Sequence, residues 1–219
     1  MKEIYKYNRP LAIAALVLVI VITVFADANF ALISEKKDVS NAYKDGSLKN
    51  SVLKCADEAG LMFSAAENAG YNVSRSAKEH VENLRSKASS PIRLENALVD
   101  VYTDAIAIYE QNVSDNTVQK HYNELGKVLD ALASKSDYNE AAGDYNDVQS
   151  GLLCGLLAPW FGKTADFASV YERFRTNFNL PSEPPSSDDG GIGDWISDHW
   201  FLTLVILIGL GIVAKVEKK

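Results

Sequence analysis

Histidine and cysteine are scarce in this chain of 219 residues, with three of the first and two of the second. His80, His121 and His199 fall on three separate segments, and Cys55 and Cys154 form no CxxC pair. That removes the usual ligand spacings of a zinc site, and without HExxH there is no helix-borne centre for metal-dependent hydrolysis. No GxSxG is present. Gly190-Gly191-Ile192-Gly193 lies beside aspartates and lacks the strand–turn–helix setting and lysine of a phosphate loop. Acidic residues outnumber basic ones, 29 to 22, and the basic ones are scattered. A nucleic-acid surface requires a clustered basic patch instead. We therefore expect no catalytic residue, no metal ligand, no cofactor and no nucleic-acid partner.

What the chain has in quantity is apolar residues, 47% of the total, arranged as two terminal runs and several helical stripes. Residues 1–9 are polar, with Lys2, Lys6 and Arg9. Leu11 to Ala26 is then apolar except for Thr23. A spanning helix takes about 20 residues, so this run with its apolar shoulders reads as a membrane anchor. A cleaved signal peptide is the rival, since Ala26-Asp27-Ala28 supplies a cleavage-like site behind the basic and apolar regions. At the other end, Phe201 to Ala214 is preceded by Trp195 and Trp200 and followed by Lys215, Lys218 and Lys219, the flanks of a second membrane helix. Gly209 and Gly211 within it suit helix association. The acidic flank before the second run and the basic termini place both ends in the cytoplasm and the middle outside it.

The middle is helical by periodicity. Leu48, Val52, Cys55, Ala59 and Met62 recur at steps of four and three, marking a helix within 34–70 that Gly46-Ser47 breaks or kinks at its start. A short helix over 76–89 carries Ala77, Val81, Leu84 and Ala88, with Ser76 and Glu79 in a capping-box arrangement. Pro91 to Gln111 is strongly striped, and Pro91 behind Ser90 is a start signal. Asn116 with Gln119 opens the next helix. Its stripe, Val118, Tyr122, Leu125, Leu129 and Leu132, restarts one position out of phase at Tyr138, Ala141, Tyr145, Val148 and Leu152. One helix of about 35 residues and roughly 50 Å, carrying a coiled-coil-like seam and bending near Ser134–Ser136, is the economical reading. Pro159 ends it, Trp160, Phe161 and Phe167 fold back, and residues 166–178 form a last helix. Aromatics at such an exit either cap the core or make a membrane-surface or peptide contact. Residues 179–194 are a linker by composition.

Tyr138-Asn139 and Tyr145-Asn146 stand seven residues apart, on nearly one helix face. Two readings stand: rings in the seam with amides bonding to neighbouring helices, or a polar groove for a peptide or lipid headgroup, flanked by Asp137, Glu140, Asp144 and Asp147. Cys55 and Cys154 likewise read either as small buried hydrophobes or as a disulfide in an oxidising compartment. Asn72-Val73-Ser74 and Asn112-Val113-Ser114 match the glycosylation triplet.

The paired Tyr-Asn dipeptides, followed by Phe161-Gly162 and Phe167, resemble the C-terminal signature of the LemA family. Val39, Ala42 and Tyr43 are similar to the start of that family's first domain helix. The resemblance covers residues 35–170 and is most specific over 138–167. Only Lys135 stands where the family carries a basic pair, and GLLCGLLAPW replaces its proline-containing turn. The resemblance implies an N-terminal membrane helix and a compact helical bundle, with no agreed active site.

The expected fold is all-α: an antiparallel bundle of about four helices at 34–178, between membrane helices at 1–33 and 195–219. The expected role is a membrane-anchored scaffold or interaction module of the cell envelope. A ligand- or peptide-sensing domain signalling through its membrane helices is the alternative. Membrane lipids, another envelope protein and a second copy of the chain are the expected partners.

Overall fold

The computed structural model describes residues 2–45, 47–111, 114–151, 154 and 161–182. Seven helices lie among them: α1 (Lys2–Asp45), α2 (Leu48–Asn68), α3 (Arg75–Lys87), α4 (Glu95–Gln111), α5 (Asn116–Ala133), α6 (Ser136–Ser150) and α7 (Phe167–Phe174). The all-α class holds, but the bundle is built from more and shorter helices than the stripes suggest. The second correction concerns the membrane. Among the described residues one helix, over Leu16–Lys44 near the N-terminus, is long and apolar enough to cross a bilayer. The second span expected at 195–219, and with it the hairpin that placed both termini in the cytoplasm and the domain outside, is withdrawn. That stretch lies outside the described residues, as does the linker beyond Ser182.

α1 has 44 residues, about 66 Å of helix, and has two characters. Ile13, Val17, Leu18, Val19, Val21, Ile22 and Phe25 are exposed on several sides of its first half. Beyond Asp27 it becomes amphipathic: Ala28, Leu32, Val39 and Tyr43 are buried on one face. That face packs on α6. The expected boundary between residues 33 and 34 therefore falls inside an unbroken helix.

The chain then turns at Ser47, which takes a left-handed backbone (φ 60°). This is the break anticipated at Gly46-Ser47. α2 runs through the centre of the domain, packing on α5, α3, α4 and α1. Val52, Cys55, Ala56, Ala59 and Met62 have no exposed surface. The helix stops where Tyr71 N–H returns to the Ala66 carbonyl at 3.0 Å and Gly70 adopts φ 87°. Glycine makes that left-handed stop without a Cβ penalty.

Two caps sit one or two residues earlier than expected. The Ser74 hydroxyl, not Ser76, accepts from Ala77 N–H at 3.1 Å and starts α3. Asp115, not Asn116, starts α5, its carboxylate accepting from Thr117 N–H at 2.8 Å and Val118 N–H at 2.9 Å. Both use the favoured oxygen-bearing cap, and the carboxylate also suits the positive end of the helix dipole.

The expected single helix over 116–152 is broken at Ser134–Lys135. Ser134 closes α5 by donating its N–H to Asp130 O at 2.9 Å, and Lys135 turns to ψ 80°. The one-position phase slip between the two stripes is the cause. A straight helix would aim one stripe off the core, whereas a two-residue turn lets both Leu132 and Tyr138 be buried. The Asn139 amide fastens the turn by donating to the freed Ala133 carbonyl at 2.7 Å. α7 closes the bundle against α4 and α5. Below it, Phe178 stacks on Tyr122 with ring centres 4.4 Å apart. Gly126 leaves the space for that ring, since a Cβ there would lie 3.0 Å from Phe178 Cδ1.

Candidate functional site

The residues singled out by the resemblance converge on one place: the backbone of the segment returning from α6 to α7. Tyr138 is buried to 1% exposure. Its hydroxyl donates to the Ala165 carbonyl at 2.7 Å and lies 3.3 Å from Thr164 Oγ1. Two turns on, the Tyr145 hydroxyl donates to the Gly162 carbonyl at 2.9 Å. Gln149 Nε2 donates to the same carbonyl at 3.0 Å. Asn146 Oδ1 accepts from Thr164 N–H at 3.3 Å. One face of α6 thus holds residues 162–165 through four side chains. These are hydrogen bonds to backbone groups that burial would otherwise leave unserved.

The other side of that segment is held by the chain before α4. Arg93 N–H donates to Lys163 O at 2.8 Å, and Ala165 N–H to Pro91 O at 2.9 Å. Ile92 and Thr164 form an antiparallel bridge. Because residues 91–94 are committed here, α4 begins at Glu95 rather than at Pro91. Arg93 adopts φ 61° to make the pairing, and Gly162 adopts φ 72°. A Cβ on Gly162 would lie 3.0 Å from both Arg93 Nε and Ile92 Cγ2, so glycine is required there twice over.

Aromatic rings close the cluster. Tyr138 stacks on Phe167 with centroids 4.7 Å apart and meets Tyr43 of α1 at 5.9 Å. The Tyr43 hydroxyl donates to Ala88 O at 2.9 Å. Phe161 is half-buried beneath Lys36, whose Nζ lies 5.6 Å from the ring centre. Burial holds the Tyr138 phenol well above the usual tyrosine range; the Thr164 hydrogen bond opposes that shift, and Tyr43, Asp166 and Glu95 each add a smaller upward push. Trp160 lies outside the described residues.

Of the residues marked in the sequence, Tyr138, Asn139, Tyr145, Asn146, Phe161, Gly162 and Phe167 all belong to this cluster or to the α5–α6 turn beside it. Gln149, Thr164 and the 91–93 segment were missed, and Tyr43 was marked only as part of the first domain helix, not as a member of this cluster. Gln149 carried a signal, lying four residues after Tyr145 on the same helix edge. Backbone pairing of 91–93 with 163–165 carried none, because neither stretch has strand periodicity. Asp137, Glu140, Asp144 and Asp147 are exposed on the outer side of α6, away from the clamp.

The cysteines are both free. Cys55 is fully buried in α2, and burial pushes its thiol up to about 12 despite a hydrogen bond with Tyr102. Cys154 sits elsewhere, with Sγ 3.7 Å from the Ala28 carbonyl of α1. Its thiol is raised first by burial and then by the Asp27 carboxylate. His80 pairs with Asp104 at 2.7 Å, tying α3 to α4, and His121 pairs with Glu58 at 2.7 Å, tying α5 to α2. His199 is outside the described residues. Among the described residues, no group of three or more His, Cys, Asp or Glu side chains is placed to hold a metal ion. One groove, of about 650 Å³, lies between α2 and α3 over Gly60, Leu61, Phe63 and Val81. Its rim is closed by the Lys78–Glu67 pair at 2.6 Å and the Arg85–Asp57 pair at 2.9 Å.

Among the described residues, fold and cluster together define an all-helical domain with an internal clamp, carrying one helix long and apolar enough to cross a membrane. No family model matches the chain, and no curated protein or solved structure is significantly similar to it.

Proposed function

We propose that the chain is a membrane-anchored, non-enzymatic helical scaffold or interaction module of LemA type. The observation that carries the anchor is the exposure of nine large apolar side chains on α1, from Ile13 to Ile33, at 40–71% of their surface. Each loses about 1.5–3 kcal/mol when fully exposed to water, so half-exposure of nine amounts to on the order of 10 kcal/mol. That equals the whole stability of an ordinary domain and demands a cover of lipid or protein. The LemA assignment rests on the spacing of the two Tyr-Asn pairs and Phe161-Gly162, whose side chains here do a packing job. Lipid, a membrane-protein partner and a second copy are the partners this reading implies.

The test is flotation of the full chain with liposomes after an alkaline wash. Wild type should float, and the pair Leu18→Lys with Ile22→Lys should stay at the bottom while keeping its helical signal. Equal flotation of both would sink the anchor. A second reading, a peptide- or ligand-sensing domain, is favoured by the α2–α3 groove together with α1 running unbroken from the apolar run into the core. It requires a ligand-dependent rise in melting temperature that Leu61→Lys abolishes. Unchanged melting across a peptide library would remove it.

A further inference from the structure

α1 leaves no connecting loop between the apolar run and the domain, and that fixes how high the domain stands. The run from Leu11 to Ala26 is 16 residues, about 24 Å of helix. A bilayer hydrocarbon core is about 30 Å thick. The missing 6 Å, about four residues, cannot come from the N-terminal side, where only Pro10 separates the run from Arg9 and Asn8. It comes from the domain side and reaches Phe30: of the two polar residues crossed, Asn29 is uncharged, and Asp27 is half-buried near Cys154 on the domain side of the helix. Phe30 and Ile33 are 71% and 48% exposed, and both lie beyond the apolar run, where the opposite face of α1 is already buried in the domain at Ala28 and Leu32. The exposed apolar surface of α1 is therefore continuous from the run into the domain.

From this continuity we propose that the end of the domain around Ala28, Cys154 and Leu32 is seated in the lipid headgroup layer, with Phe30 and Ile33 as interfacial anchors. The proposal rests on the membrane-anchor reading and goes further by naming the domain face that meets the bilayer. The headgroup layer adds roughly 5–7 Å beyond the hydrocarbon. Phe30 then lies at its base. Lys36, about 9 Å further along the helix, stands just beyond its outer edge with its ammonium over Phe161. Large apolar rings at the base and a long-stemmed cation above them are the pattern of an interfacial anchor. The occupant of this face is lipid, because its exposed side chains continue directly those of a helix that lipid must cover.

The experiment uses the full chain in phosphatidylcholine–phosphatidylglycerol vesicles. A Cys154→Ala background leaves only Cys55, which is buried and unreactive in the folded domain. Single cysteines at Phe30 and at exposed Asn41 are labelled with an environment-sensitive fluorophore, and helical content is checked by circular dichroism. At position 30 we expect quenching by lipids carrying a nitroxide near the headgroup, and at least fivefold weaker quenching by aqueous iodide than at 41. Equal iodide quenching at 30 and 41 in protein that still floats with the vesicles would overturn this inference and leave the anchor standing. Protection of position 30 from both quenchers would assign the face to a second copy and overturn it too. Protein that fails to float removes the anchor and this inference together.

Discussion

Removing one oxygen from Tyr138 should hurt more than removing one from Tyr145. The two hydroxyls look equivalent in sequence and differ in what they leave behind. Tyr138 donates to the carbonyl of Ala165, a residue with no exposed surface. Tyr138→Phe abandons that carbonyl in a buried place, a loss of about 1–3 kcal/mol. Tyr145 donates to the Gly162 carbonyl, which Gln149 also serves at 3.0 Å. Tyr145→Phe leaves the acceptor with a partner and costs about 0.5–1.5 kcal/mol, the ordinary net worth of a hydrogen bond. Removing the Tyr138 ring as well, with its contacts to Phe167 and Tyr43, should bring the loss in Tyr138→Ala to about 3–5 kcal/mol. The assay is urea unfolding of the full chain in detergent, followed by tyrosine circular dichroism. At a slope of about 2 kcal/mol/M, a 2 kcal/mol loss moves the midpoint by about 1 M. The reasoning is refuted if Tyr138→Phe unfolds with the wild type, or if Tyr145→Phe is the more damaging of the two.

Three further outcomes follow from the same structure. Gly162→Ala, forced into φ 72° with its Cβ against Arg93 and Ile92, should lose about 1–3 kcal/mol by the same urea assay; an unchanged midpoint would mean that the 91–93 pairing is not formed. Alkylation of the native chain followed by mass measurement should modify Cys154 and leave Cys55 until denaturant is added, whereas a mass showing no free thiol after unfolding would establish the bridge that the structure lacks. Glu95 sits at the start of α4 beside Asp166, and its carboxyl is held above its ordinary value by burial first and then by that neighbour. A carboxyl whose folded pKa exceeds its unfolded one, about 4.3, contributes stability in full below that value and loses it as pH rises through the folded pKa. Glu95→Gln should therefore gain on wild type as pH is raised from about 4 to 7, and a pH-independent difference between the two would count against it.

The helices were largely readable because burial writes a period into the sequence. The stripes of α2, α4 and α5 name core residues that the structure buries, Val52, Leu98 and Leu125 among them. What escaped was how long each helix runs. The phase slip at Ser134 was visible, but continuous polarity gave no sign that the chain would turn rather than bend. The α3 and α5 caps went to Ser74 and Asp115 because several oxygen-bearing residues crowd each start, and periodicity cannot choose among neighbours. The start of α4 was misplaced for a different reason. Pro91 is a sound start signal locally, yet its carbonyl is taken by Ala165, more than seventy residues away. The candidate site fared similarly: Tyr138, Tyr145 and Asn146 were found by spacing, but Gln149 was missed and the 91–93 pairing behind the backbone they grip carries no pattern. The second span was inferred from composition alone, and the only helix among the described residues that meets the length and hydropathy of a span is the first.

On the membrane-anchor reading proposed above, the unbroken course of α1 also makes the domain a lever. From Ala28 to Asp45 the helix extends about 26 Å into the bundle it supports. A spanning helix answers a change in bilayer thickness by tilting. With no hinge to absorb it, a 10° tilt would carry the far end of that arm sideways by roughly 4–5 Å. The six shorter helices would move with it as cargo. Bilayer thickness and helix inclination then become coordinates of whatever surface the bundle presents.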